Sequence, residues 1–293
     1  MLRYAVMSAT FRVVFMGSPD YALPALEALH TQFPGCVVGV FSRPDQPKGR
    51  GQHLEATPIK IWALAHQIPV FTPTTKTDLH ETLASLKPDL VIVIAYGMIL
   101  PPQTVSQFYC VNAHGSILPQ YRGASPVQAA LLAGDTQTGV TLIRMNDKMD
   151  EGDILQLNRI EIGEDDHFAA LFTRLSELSA QAICAFIQSQ WLPKTLSSQP
   201  QPLDGVSYCH KIKKADAELL PTESPLTHFR KIRAFSPAPG AFIQTEQGPV
   251  KILEASYSEA EGLHPITVQP PGKKSMPYRD YCLGHPKGLF HAS

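Results

Sequence analysis

Between Phe11 and Arg144 the chain repeats one pattern, a short run rich in Val and Ile followed by a stretch of helical spacing. RVVFM, CVVGVF, LVIVIAY, YCVNAH and GVTLIR are the apolar runs. They show little polar alternation, so both faces of each must be covered, as in a parallel sheet rather than a half-solvated antiparallel one. Between them, Thr57-Pro58 and Ser125-Pro126 each set a capping hydroxyl before a proline at the first helical position. Strand and helix in alternation predict an α/β fold with a doubly wound, mostly parallel sheet. Such a sheet takes its ligands at the carboxyl ends of its strands.

Asp166 to Gln188 carries Phe168, Leu171, Phe172, Leu175, Leu178, Ile183 and Phe186 at helical spacing, which predicts a long helix with a core stripe. Residues 192–204 are polar and rich in proline, the composition of a linker. We therefore expect one domain over 1–191 and a second over 205–293. The second begins with a short helix (Leu226 to Ala234); GAFIQTE and PVKILEAS then flank a Gly248-Pro249 turn, and ITVQ follows, a small β-rich module.

Charge divides with the domains. Residues 1–204 hold 14 Lys+Arg against 18 Asp+Glu, whereas 205–293 hold 11 against 8. A mildly basic tail on an acidic body suits a polyanion contact confined to one module. Five scattered cysteines without a CxxC pair read as reduced thiols, so a cytoplasmic location is expected, and with no convincing targeting or membrane segment no membrane attachment is expected. The first βα turn, Gly17-Ser18-Pro19-Asp20, lacks GxGxxG, and no Walker loop, HExxH or GxSxG occurs. The acids of Asn146 to Asp153 miss the alternate positions of a calcium loop, and Lys148 would repel a cation. No metal is expected.

NAHGSILPQYRGASP remains. Alternation along a strand would put Asn112, His114 and Ser116 on one face, while Pro119 and Gly123 turn the chain into a loop. An amide and an imidazole at the carboxyl end of a strand suit a carbonyl whose oxygen becomes anionic, since Asn can donate to the oxyanion and His can move a proton. Asp150, in a glycine-containing loop after the next strand, could fix the ring's tautomer. The same spacing also suits a buried, hydrogen-bonded strand-end histidine. No nucleophile accompanies the group, which favours direct transfer between two bound substrates.

FMGSPDYALPALEAL, GVFSRPDQPKGRG, VIAYGMILP, NAHGSILPQYRGASPVQAAL and GDTQTGVTLIRMNDKMDEGDIL, with RAFSPAPGAF and QPPGKKSM in the tail, resemble the successive blocks of the methionyl-tRNA formyltransferases. The resemblance implies formyl transfer from 10-formyltetrahydrofolate to the α-amino group of methionine on initiator tRNA. It makes Asn112, His114 and Asp150 the catalytic set. Ser116, Ile117, Leu118 and Pro119 would line the folate site, Ile117 standing where Leu is commoner in the family.

SRPDQPKGRGQHLEATP is too long for an ordinary βα connection and holds Arg43, Lys48 and Arg50. In the family this loop enters the acceptor arm of the tRNA, and Arg50 is the leading candidate for that contact, since guanidinium stacks on bases as well as pairing with phosphate. The family's tail is a β-barrel of the OB type, where Lys273 and Lys274 would meet tRNA. Here Glu254-Ala255-Ser256 passes through SEAEGLHP almost directly to ITVQPPGKKSM, so an OB-like domain shortened by about two strands is expected. A monomer is expected. The rival readings are a formyltransferase for an amino-sugar nucleotide or another small amine, and a non-catalytic tRNA-binding relic.

Overall fold

The computed structural model describes residues 11–48 and 53–290. The chain begins with β1 (Val13–Gly17), α1 (Leu23–Gln32) and β2 (Val37–Phe41). A small hairpin, β3 (Gln46–Lys48) with β4 (His53–Glu55), precedes α2 (Pro58–Ala65). Then come β5 (Val70–Phe71), α3 (Lys76–Leu86), β6 (Leu90–Ile94), α4 (Pro102–Gln107), β7 (Cys110–His114) and the two-residue β8 (Arg122–Gly123). After α5 (Pro126–Ala133), β9 (Gln137–Arg144) and β10 (Asp153–Glu161), α6 (Phe168–Phe186) ends in a π-helical turn, Ile187–Trp191.

Seven strands form one sheet in the order β10-β9-β7-β6-β1-β2-β5. Every residue of β1 and β6 is buried, as near-continuous apolar runs require. The chain winds outward from β1 through β2 to β5, then returns to β6 and builds the other side. The topological switch point therefore falls between β1 and β6, and the Ser18 hydroxyl donates across it to the Tyr96 carbonyl at 2.9 Å. Gly17 is required at this turn, because a Cβ there would come within 2.9 Å of both the Ala22 Cβ and the Phe15 ring.

The five expected strands are all present, but β9 runs antiparallel to β7, pairing Asn112 with Ile143 and His114 with Thr141. Further strands escaped the sequence. β5 is only two residues long, β3 and β4 lie inside the long loop, and β10 is a sheet-edge strand whose mixed polarity, DILQLNRIE, does not read as a covered run. Thr57 caps α2 as expected, accepting from Lys60 N–H at 3.1 Å. Ser125 sits at the start of α5 without a side-chain cap bond. Phe168–Trp191 is long and apolar enough to cross a membrane, yet Leu171, Leu175, Ile183 and Phe186 are fully buried, the mark of a core helix.

The described residues form two compact units. The first comprises the chain up to Arg122 with Gly139–Arg159 and Thr173–Ser207; the second comprises Gly123–Thr138, Ile160–Phe172 and the chain from Tyr208 on. Residues 192–204 are not a free linker. Gln199 pairs with Ile154 through two backbone hydrogen bonds of 2.7 and 2.9 Å, which lays this segment along β10. In the second unit, after the two-residue β11 (Tyr208–Cys209), α7 (Pro225–Phe235) is capped by Ser224. It packs on an antiparallel sheet of β12 (Ala241–Thr245), β13 (Gly248–Ser258), β14 (Gly262–Gln269) and β15 (Met276–Pro277), followed by α8 (Tyr278–Gly284). Among the described residues this sheet has four strands in linear order, with β12 and β15 at its edges.

Candidate active site

Asn112 and His114 alternate onto one face of β7, and Asp150 lies against both. Asn112 Nδ2 donates to Asp150 Oδ1 at 3.2 Å, and His114 Nδ1 stands 3.6 Å from Asp150 Oδ2. The three groups named from sequence are thus in one place, although Asp150 arrives by an unexpected route. Because β9 is antiparallel, its last residue, Arg144, lies beside Val111 near the start of β7, and the following loop must fold back over the face of that strand. Two backbone features allow the return. Asp150 takes a left-handed conformation (φ 54), and Gly152 passes so close to the Arg144 carbonyl that a Cβ would collide with it.

Hydrogen bonding fixes the histidine ring. Nε2 donates to the Tyr121 carbonyl at 2.8 Å, since a carbonyl can only accept. Nδ1 is then the nitrogen that can exchange a proton, and it faces the carboxylate. His114 and Asp150 are 6% and 14% exposed, so the pair is shielded from bulk water. Cys110 on the same strand is no nucleophile: burial pushes its thiol up to about 12.

Ser116 does not share the face of Asn112 and His114. The strand ends at His114, and Ser116 is fully buried in the bend, donating to the Gln120 carbonyl at 2.5 Å. Its backbone carbonyl accepts from Thr141 Oγ1 at 2.6 Å, and Thr141 in turn accepts from Leu118 N–H at 3.1 Å. Leu118 is buried and Ile117 is half-buried; a cis peptide joins Leu118 to Pro119. Residues 116–119 therefore form a fixed wall beside the cluster. Thr141 was missed in the sequence because its importance depends on standing opposite His114, a register known only once the antiparallel pairing is known.

Arg43 leaves the carboxyl end of β2. Its N–H donates to Ser18 Oγ at 3.2 Å, and its exposed side chain lies along Gly97 in the loop after β6. The hairpin it introduces is tied at its base by Ser42 Oγ to Thr57 Oγ1 (2.6 Å) and by the Asp45–Lys60 ion pair (2.8 Å). Lys48 closes β3, where its backbone pairs with His53, and Arg50 lies outside the described residues. Lys273 and Lys274 are exposed in the turn after β14, where Lys273 N–H donates to the Pro270 carbonyl. They belong to the second unit and are not part of the cluster on β7.

The profile described as Formyl transferase matches residues 11–187, and that described as Formyl transferase, C-terminal domain, matches 211–266. A methionyl-tRNA formyltransferase of Pseudoalteromonas translucida is 38% identical over 95% of each chain. The chain belongs to the methionyl-tRNA formyltransferase family. Solved structures agree on the fold. The methionyl-tRNA formyltransferase of Clostridium thermocellum superimposes with a TM-score of 0.59 at 15% identity, covering 89% of this chain and 99% of that one. An N-formyltransferase of Helicobacter canadensis, solved with folinic acid and dTDP-3-aminofucose, gives 0.67 at 19%, covering 85% and 88%. The family resemblance read from the sequence blocks is therefore upheld in both the first part of the chain and the tail.

Proposed function

We propose that this chain transfers a formyl group from 10-formyltetrahydrofolate to the α-amino group of methionine on initiator tRNA. The observation that carries the reading is the Asn112, His114 and Asp150 cluster at the ligand edge of a family-matched sheet. The amine nitrogen bonds to the formyl carbon, the carbon's bond to N10 of the folate breaks, and one proton passes from the attacking amine to N10. Asn112 has a second amide N–H beyond the one given to Asp150, and it donates to the carbonyl oxygen as charge builds there. His114 carries the proton on Nδ1. Asp150 stabilises the charged ring and, by holding Asn112, keeps the amide oriented.

The folate would rest against the wall of Ile117, Leu118 and Pro119. The donor set suits that co-substrate: an amide N–H and a proton carrier converge on one spot, and no thiolate competes for the formyl carbon. Arg43, Lys48 and Arg50 in the long segment after β2, with Lys273 and Lys274 on the tail, would contact tRNA phosphates or bases. The hairpin favours this acceptor over an amino-sugar nucleotide, because a small amine has no need of a tied, cation-bearing extension.

The test is formyl transfer to methionyl initiator tRNA by wild type and by His114→Ala, over a range of tRNA concentrations. Saturable transfer that falls roughly a hundred- to ten-thousand-fold in the variant is expected. Folded wild type that formylates a nucleotide-linked amino sugar but not the tRNA would overturn the acceptor.

A further inference from the structure

Gln201 lies in the segment whose composition reads as linker, yet its amide is used on both sides. Nε2 donates to the Asp150 carbonyl at 2.7 Å and to the Gly152 carbonyl at 2.8 Å. Oε1 accepts from Arg122 Nε at 3.1 Å and Nη2 at 2.8 Å. The remaining arm of that guanidinium, Nη1, reaches Glu151 Oε1 at 3.4 Å. Three consecutive loop residues, Asp150, Glu151 and Gly152, are thereby held by two side chains, one of them a buried arginine. The amide cannot be turned over, because Oε1 would then face two carbonyl oxygens and Nε2 a cation.

We infer that Gln201 is a positioning residue for the reaction, holding the Asp150 loop so that its carboxylate stands against Asn112 and His114. The inference rests on the roles proposed for those three residues. Asp150 has a left-handed backbone that a non-glycine side chain disfavours, and the loop has folded back against the direction of β9. Asp tolerates this conformation better than most residues, yet the folded-back loop still needs partners to hold it in one place. Gln201 holds it at the two carbonyls that flank Glu151. The strap pairing of Gln199 with Ile154 fixes where Gln201 can stand, so the catalytic carboxylate takes its position from a segment about fifty residues further along the chain. A buried amide that merely satisfies Arg122 would explain the Oε1 contacts but not two donated bonds to alternate carbonyls of the very loop that carries Asp150.

Gln201→Glu separates the two sides of the amide. The carboxylate still accepts from Arg122 but can no longer donate to the loop. Two readouts are needed, hydrogen exchange of the amides of residues 150–153 and formyl transfer to methionyl-tRNA. Exchange is expected to accelerate in that segment and not in β7, kcat to fall roughly ten- to a hundred-fold, and KM for tRNA to stay within about twofold. In an Asp150→Asn background the same change should cost almost nothing further, because Gln201 acts through Asp150. Gln201→Met, neutral and close in shape, should behave like Gln201→Glu and covers the case in which the added charge prevents folding. Unchanged exchange, a full multiplicative loss in the Asp150→Asn background, or a rise in KM with kcat intact would each overturn the inference. Faster exchange at 150–153 with a wild type that does not formylate tRNA would support it while refuting the acceptor.

Discussion

The Tyr121 carbonyl accepts from His114 Nε2, so any proton the ring exchanges passes through Nδ1, beside Asp150. Asn112 donates to the same carboxylate, and its substitution tests whether the second N–H works as proposed. Asn112→Ala should lower kcat/KM by about 3 kcal/mol, roughly a hundredfold or more, with little effect on thermal stability. The thiols give a second prediction at this scale. Burial pushes Cys36 and Cys110 up to about 12 and Cys184 to about 11, while Cys209 and Cys282 are only half-buried. A thiol reagent at neutral pH should therefore modify two of the five in the native protein and all five after denaturation. Because the folded thiols keep their protons beyond the ordinary value of 9, their contribution to stability is complete below about pH 9 and is lost as pH rises toward 12; alkaline unfolding followed by circular dichroism checks this. Asn112, His114 and Asp150 were legible in sequence because strand periodicity and a glycine-bearing loop mark them locally. Gln201 and Thr141 were not, since each acts only through a partner far away in sequence. Ser116 was misplaced by carrying the strand two residues too far.

Among the elements, the hairpin between β2 and α2 was legible as a loop too long to be a plain connection, though not as paired strands, because QPK and HLE carry no β pattern. Deleting Gln46 to His53 should leave the sheet folded and abolish capture of tRNA, seen as a collapse of kcat/KM for tRNA with folate binding retained. Thr57 both caps α2 and bonds Ser42, so Thr57→Ala should cost about 1 kcal/mol in a denaturation experiment, with some loss of tRNA affinity as the hairpin base loosens. The reversed direction of β9 was hidden for a different reason. A covered strand has the same apolar composition in either direction, and only the short chain between α5 and β9, through Gly134, constrains the path.

For the molecule as a whole, the uneven charge matters most. The acidic first part repels a polyanion; on the proposed function, capture of tRNA would therefore fall to the hairpin and the basic tail, and the apparent affinity should weaken steeply with salt. In the doubly substituted Lys273→Ala, Lys274→Ala protein the slope of log kcat/KM against log salt should be shallower by about two, while kcat at saturating tRNA is unchanged. The division into an acidic body and a basic tail could be read from the sequence; the interleaving of chain segments in the two units could not, because it arises from packing of α5 and α7, whose contacts join residues about a hundred apart. The tied base of the hairpin has one more consequence. With Ser42 joined to Thr57 and Asp45 to Lys60, the two ends of this segment are held by the fold, and doubling such a loop costs only about 0.6 kcal/mol in closure entropy. On the proposed function, the reach of the enzyme toward its acceptor is thus set by a segment whose length the fold constrains little. Insertions there can drift or be engineered to retune which tRNA is accepted, while the formyl chemistry beneath stays as it is.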